Sequence, residues 1–188
     1  MAAVYLDGGF KDPARDAAHA FRAALQAMAR PGRIETVAGV APPAPCSVAA
    51  GALLVTLCDT TTPIYLAPSH DTEGLRGWIT FHTGAPFTGP EHAMFGLGTW
   101  AALAAVTRFS PGTAEYPDRS ATLIVELGEL STNGATLSGP GIRTIARLSL
   151  PEVAAFQQNR RRFPLGFDTY LTCGDRLAGL PRSTRVEG

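Results

Sequence analysis

The sequence has 188 residues, with sixteen basic and sixteen acidic side chains, 45% hydrophobic residues and only 17% charged ones. That length closes one sizeable core but not two independent ones, so a single domain over residues 1–188 is expected. A formal net charge of zero excludes a general attraction to nucleic acid or acidic lipid, and a surface so poor in charge favours burial of part of it against another chain.

Asp12-Pro13 opens the first element: an Asp N-cap followed by proline at the first helical position starts a helix. Ala17, Phe21, Leu25 and Met28 recur at spacings of three to four and define its expected core stripe, while Arg30-Pro31-Gly32 ends it. Ile34 to Ala38 reads as a short strand and the Pro-rich Ala41 to Pro45 as a loop. Ser47 to Cys58 is almost uniformly apolar, too long for a strand and too short for a membrane span, and reads as a buried helix closed by Thr60-Thr61-Thr62-Pro63. Ile64 to Ala67, Trp78 to His82 and Ala121 to Leu127 are rich in branched or aromatic residues and read as strands. The last of these lacks polar alternation, which places it inside a sheet covered on both faces. Ser149-Leu150-Pro151-Glu152 has capping-box spacing and predicts a helix running to about Arg162. Phe167 to Thr172 and Arg176 to Leu180 flank Cys173-Gly174-Asp175 and predict a hairpin. The pattern is α/β: one layered domain with a mixed sheet.

Few residues group into a recognisable chemical set. His19, His70, His82 and His92 are scattered, and with Asp59, Asp71 and Glu91 they form no metal-ligand spacing. The three cysteines, Cys46, Cys58 and Cys173, contain no CxxC pair and suit a reducing compartment. Cys58-Asp59 reads either as a thiol beside a carboxylate or, more economically, as a buried cysteine before a capping aspartate. The N-terminal stretch around Asp7, Lys11 and Asp12 has no secretory pattern, so a cytoplasmic location is expected. Leu137-Ser138-Gly139-Pro140-Gly141-Ile142 contains a glycine turn in which Gly139 and Gly141 are phosphate-loop candidates. It lacks the lysine of a P-loop, and Pro140 removes one donor, so a strand-ending turn is the competing reading. Arg160-Arg161-Arg162 suits the negative end of a helix dipole. Lys11 is the single lysine and precedes the first helix, which leaves pyridoxal phosphate without a core amine for an aldimine.

Several segments together carry a family resemblance. They are Phe21 to Met28 with Pro31-Gly32, Leu57-Cys58-Asp59 with Thr62-Pro63, Phe81-His82-Thr83-Gly84-Ala85-Pro86, Gly112-Thr113 with Pro117, Ala121 to Ile124, and Leu137 to Ile142. The C-terminal block is the most specific: Phe163-Pro164-Leu165-Gly166-Phe167-Asp168, Leu171 to Leu177, and Leu180-Pro181-Arg182-Ser183-Thr184-Arg185-Val186. Their order along nearly the whole chain resembles the H-subunit family of the bacterial carbon-phosphorus lyase system. The resemblance implies a three-layer α/β/α fold similar to the PLP-dependent transferases but without PLP, a homodimer, and membership of a complex with subunits G, I, J and K. In that pathway the G, H and I subunits, with the L protein, move the ribose triphosphate part of ATP onto an alkylphosphonate. The J subunit, an iron-sulfur radical enzyme, later cuts the carbon-phosphorus bond.

No catalytic residue follows from the resemblance. Arg22, Asp59, His82, Asp168, Arg176 and Arg182 are the polar members of the matched segments and hence the binding or interface candidates; each equally suits a cap or an ion pair. Two functions compete. One is a non-catalytic dimeric subunit of the transferase assembly. The other is a subunit that holds a phosphonate or ATP-derived phosphate with Arg22 or Arg182 beside the glycine turn.

Overall fold

The computed structural model describes residues 6–188. Helix α1 spans Pro13–Ala29, with the Asp12 side chain accepting the Arg15 N–H and Pro13 in the first turn. Strand β1 (Ile34–Thr36) follows, then α2 (Val48–Leu57), whose N-cap Ser47 accepts the Ala50 N–H. Strand β2 (Ile64–Leu66) leads to α3 (Glu73–Thr83) and then to β3 (Phe95–Thr99) and β4 (Thr122–Glu126). Strands β5 (Ala135–Ser138) and β6 (Ala146–Leu148) precede α4 (Val153–Arg161), and β7 (Asp168–Cys173), β8 (Arg176–Leu180) and β9 (Arg185–Glu187) complete the chain. No helix among the described residues is long and apolar enough to cross a membrane.

The architecture is α/β around a mixed six-stranded sheet of order β1-β8-β7-β4-β3-β2. Strands β2, β3, β4 and β7 run parallel, while β8 is antiparallel to both β7 and β1. The expected hairpin is present: Cys173 pairs with Arg176 across Gly174, whose φ is 62°. Strand β4 lies at the centre, and Leu123, Ile124 and Val125 are all fully buried, as its unbroken apolar run requires. Side chains alternate between two cores. Ile124, Tyr170 and Leu177 join the one formed with α1, α2 and α3, whereas Leu123, Val125, Leu171 and Ala178 join the other.

The second face is not a helical layer like the first. A small antiparallel sheet of order β6-β5-β9, the single helix α4 and the stretch containing Leu103 and Phe109 cover it. The expected capping box at Ser149-Leu150-Pro151-Glu152 does not form. The helix begins at Val153 without a side-chain cap; Ser149 Oγ accepts the Ser131 N–H and Glu152 accepts the Trp100 indole N–H. Both polar groups have found tertiary partners, which compete directly with local capping.

Two further expectations are corrected. Trp78 to His82 is helical, being the second half of α3, which Thr72 caps and Gly84 ends in the left-handed region. Leu75, Trp78 and Ile79 bury one face of it, the spacing of a helix and not of a strand. The predicted core stripe of α1 is misassigned at Phe21 and Leu25, which are 51% and 53% exposed, whereas Met28 packs against the core and Ala20, Ala23, Ala24 and Ala27 are buried. The cause lies in β8. A Cβ on Gly179 would stand 2.6 Å from the carbonyl carbon of Ala27, so helix and strand approach at glycine-to-alanine distance and admit no large side chain.

Candidate functional site

Of the six polar candidates, the structure brings together two, Asp168 and Arg182. Asp168 opens β7 and Arg182 follows β8, so the hairpin folds them side by side. The Asp168 carboxylate accepts the Arg182 backbone N–H at 2.8 Å, Nε–H at 3.1 Å and Nη2–H at 2.6 Å. Nη1 donates to the Pro117 carbonyl at 2.7 Å and the Pro164 carbonyl at 3.5 Å, and Nη2 also donates to Ser120 Oγ. An arginine side chain has five N–H groups in a rigid fork, and every one here has an acceptor within the chain. Arg182 therefore ties together the 111–120 loop, the 163–167 approach to β7 and the exit of β8. It has no donor left over for a phosphate.

The remaining candidates are dispersed. Arg22 is exposed on the outer side of α1, and Arg176 is exposed at the hairpin. Asp59 sits in the turn after α2, where Oδ1 accepts the Thr61 N–H and hydroxyl at 2.7 Å and the Thr62 hydroxyl at 2.9 Å. Those bonds, the Thr61 hydroxyl first, hold its carboxyl below the usual range. The neighbouring Cys58 thiol is pushed up to about 12 by burial and by Asp59, which makes it a packed side chain and a poor nucleophile. Gly139 and Gly141 both have positive φ in the turn after β5. A Cβ on Gly141 would collide with the Ala29 carbonyl oxygen, so the turn packs on the carbonyl end of α1.

His82 is the one candidate that lines a large cleft, of about 760 Å³, together with Asp7, Gly8, Gly9, Lys11 and Asp16. The Trp78 indole N–H donates to the Asp7 carbonyl at 3.1 Å, and a Cβ on Gly9 would meet the His82 ring. Lys11 thus shares the cleft with two carboxylates, a lining that gives an anionic ligand little electrostatic advantage. Among the described residues no group of three or more His, Cys, Asp or Glu side chains is placed to hold a metal ion.

A second polar cluster sits where an open α/β sheet ordinarily receives its ligand, beyond the carboxyl ends of the parallel strands. Glu126, the last residue of β4, accepts the Ser47 N–H at 2.6 Å and the Thr172 hydroxyl at 3.0 Å. It thereby places a carboxylate against the amino end of α2, where the helix dipole favours negative charge. His70, 2% exposed, lies after β2 with Nε2 3.9 Å from Glu126. Its Nδ1 is 2.9 Å from Ser69 Oγ, which accepts the Thr99 N–H at 3.1 Å. With Ser69 donating to Nδ1, Nε2 carries the proton and faces the carboxylate, an assignment made from the hydrogen-bond network. Burial holds the imidazole below its ordinary range, opposed by Glu126 and the Pro45 carbonyl. Serine, histidine and glutamate are present, yet the imidazole is closed off from solvent and its Nε2 has no hydrogen-bond partner. The cluster fastens α2 to the strand ends.

Sequence reasoning singled out none of Ser47, Ser69, Glu126 and Thr172, and it left His70 among scattered histidines. One signal was there: Glu126 is the lone charge closing an apolar parallel strand, at the end where such sheets place polar groups.

Residues 8–187 match the model of a family described as bacterial phosphonate metabolism protein (PhnH). A relative from Rhizobium meliloti (strain 1021), alpha-D-ribose 1-methylphosphonate 5-triphosphate synthase subunit PhnH, is 42% identical over 193 residues, covering 96% of this chain and 94% of its own length.

Proposed function

Because this chain belongs to the PhnH family of bacterial phosphonate-metabolism proteins, we propose that it serves as a subunit of a synthase that joins the ribose triphosphate part of ATP to an alkylphosphonate. In that role it supplies structure and contact surface to the assembly and no complete set of reacting groups. One observation favours this over direct phosphate binding: Arg182, one of the two arginines expected beside the glycine turn, has each of its N–H groups engaged inside the chain.

The finer parts of the reading follow the resemblance. The chain pairs with itself and assembles with subunits G, I, J and K in the cytoplasm. Its layered form is similar to the PLP-dependent transferases, but its residues do not fit that cofactor. The single lysine stands before α1 in an open cleft, and the Ser47 N–H at the head of α2 is taken by Glu126.

Reconstitution tests the proposal. Partner subunits incubated with ATP and methylphosphonate should release adenine and form the ribosyl phosphonate product only when this chain is added, and the chain alone should form none. Turnover by the isolated chain, or full activity of the partners without it, refutes the reading.

A further inference from the structure

We propose that the outer face of α1, centred on Phe21, Arg22 and Leu25, is the surface on which a different subunit of the assembly docks, and that this partner offers an apolar groove rimmed by carboxylates. The inference rests on the subunit reading above and names the contact that reading requires.

Helix α1 is apolar on two sides. Its fully buried side is alanine, pressed against Gly179 of β8, with half-buried Met28 as the one larger side chain that joins the core there. Phe21 and Leu25 stand one turn apart on the opposite side, half exposed, with the exposed methyls of Ala18 and Ala29 extending the stripe. Single exposed hydrophobic residues are ordinary on a protein surface. A helix that fully buries only alanine and leaves about half of its Phe and Leu in solvent has placed two of its larger apolar groups where the fold covers them incompletely. Spacing of this kind is how a helix fills a groove, and aromatic residues with arginine are enriched in the buried centres of interfaces.

Charge selects the occupant. The exposed ionisable side chains of α1 from Arg15 onward are Arg15, His19 and Arg22, and no exposed carboxylate lies among them. A second copy seated here about a two-fold axis brings Arg22 close to its own counterpart with no acid to separate them, an arrangement that disfavours self-pairing. Carboxylates on a different chain meet both guanidinium groups, which line one edge of the apolar stripe.

The test co-expresses this chain with the remaining synthase subunits, one of which carries an affinity tag, and follows co-elution by size exclusion with light scattering. Circular dichroism checks the fold of each variant, which outward-facing substitutions should leave intact. The wild type is expected to co-elute. Phe21→Glu with Leu25→Glu should abolish co-elution, and Arg22→Glu should weaken binding on the order of tenfold, with salt above about 0.5 M weakening the wild type in the same direction. Co-elution of the double variant at wild-type stoichiometry overturns the proposal. So does a double variant that keeps its partners but loses self-association, because the occupant is then a second copy. Failure of the wild type itself to co-elute removes the subunit reading as well, whereas wild-type assembly with indifferent α1 variants removes the docking surface alone.

Discussion

Adding one methyl group at Gly179 probes the close approach of α1 to β8. An ideal Cβ there would lie 2.6 Å from both the Ala27 carbonyl carbon and the Met28 nitrogen, and 2.7 Å from the Ala27 oxygen. All three atoms are backbone, so no rotamer change relieves the clash, and the helix must move as a body. Alanine also restricts the unfolded chain, which favours folding by about 0.4–1 kcal/mol. Overpacking costs about 1–3 kcal/mol, and contacts this short place the cost near the upper end. The balance is a net loss of about 2 kcal/mol, which at roughly 2–4 °C per kcal/mol for a chain of this size lowers the melting temperature by about 4–8 °C. Gly128→Ala is the paired control, because nothing lies within 4 Å of its added Cβ, and it should melt at or slightly above the wild-type temperature. Scanning calorimetry on the three proteins reads the outcome. A Gly179→Ala protein as stable as the wild type refutes the reasoning, since alanine then fits where the packing excludes it.

Arg182→Lys keeps the charge but loses the fork that engages Asp168, Ser120 and two carbonyls, and it should cost about 2–4 kcal/mol; a denaturant midpoint equal to the wild type's counts against the clamp. His70 is neutral when buried and takes up a proton on unfolding, so its contribution to stability is intact above the free imidazole range and falls as pH drops through about 6.5. His70→Asn should therefore reduce the loss of melting temperature between about pH 7.5 and about pH 5.5; unchanged pH sensitivity argues against this account. Of the three free cysteines only Cys173 is partly exposed, while Cys46 and Cys58 are buried with their thiols raised. Titration with a disulfide reagent at mild alkaline pH should find one fast thiol in the native protein and three after denaturation, and three fast native thiols contradict it.

Elements with local chemical signals were legible. Asp12-Pro13 and the turn after Ala29 bound α1, Ser47 opens α2, and Gly174 closes the β7–β8 hairpin, each for a reason contained in a few neighbouring residues. The core face of α1 was not, because spacing alone does not tell which apolar side of a helix meets the sheet. The deciding partner, Gly179, lies far along the chain. Strand β3 was equally hidden. Two glycines weaken the strand signal of its Phe-Gly-Leu-Gly-Thr run, and the Phe109 ring and the Ala67 methyl occupy the room a side chain at Gly96 or Gly98 would need. The Asp168–Arg182 pair came from two residues already singled out, although its five-fold engagement depends on Pro117 and Ser120, more than sixty positions from Arg182. Glu126 meets Ser47 across 79 positions, and no local pattern encodes that contact.

The carboxylate at the head of α2 behaves as a resident counter-ion. Because Glu126 is tethered to β4, it competes with any diffusing oxyanion at an effective concentration of about millimolar or higher, and it forfeits no translational freedom in doing so. Helix α2 is thus electrically satisfied before solute arrives. A chain built this way keeps its shape as the oxyanions around it rise and fall in concentration, since the Ser47 N–H is already engaged.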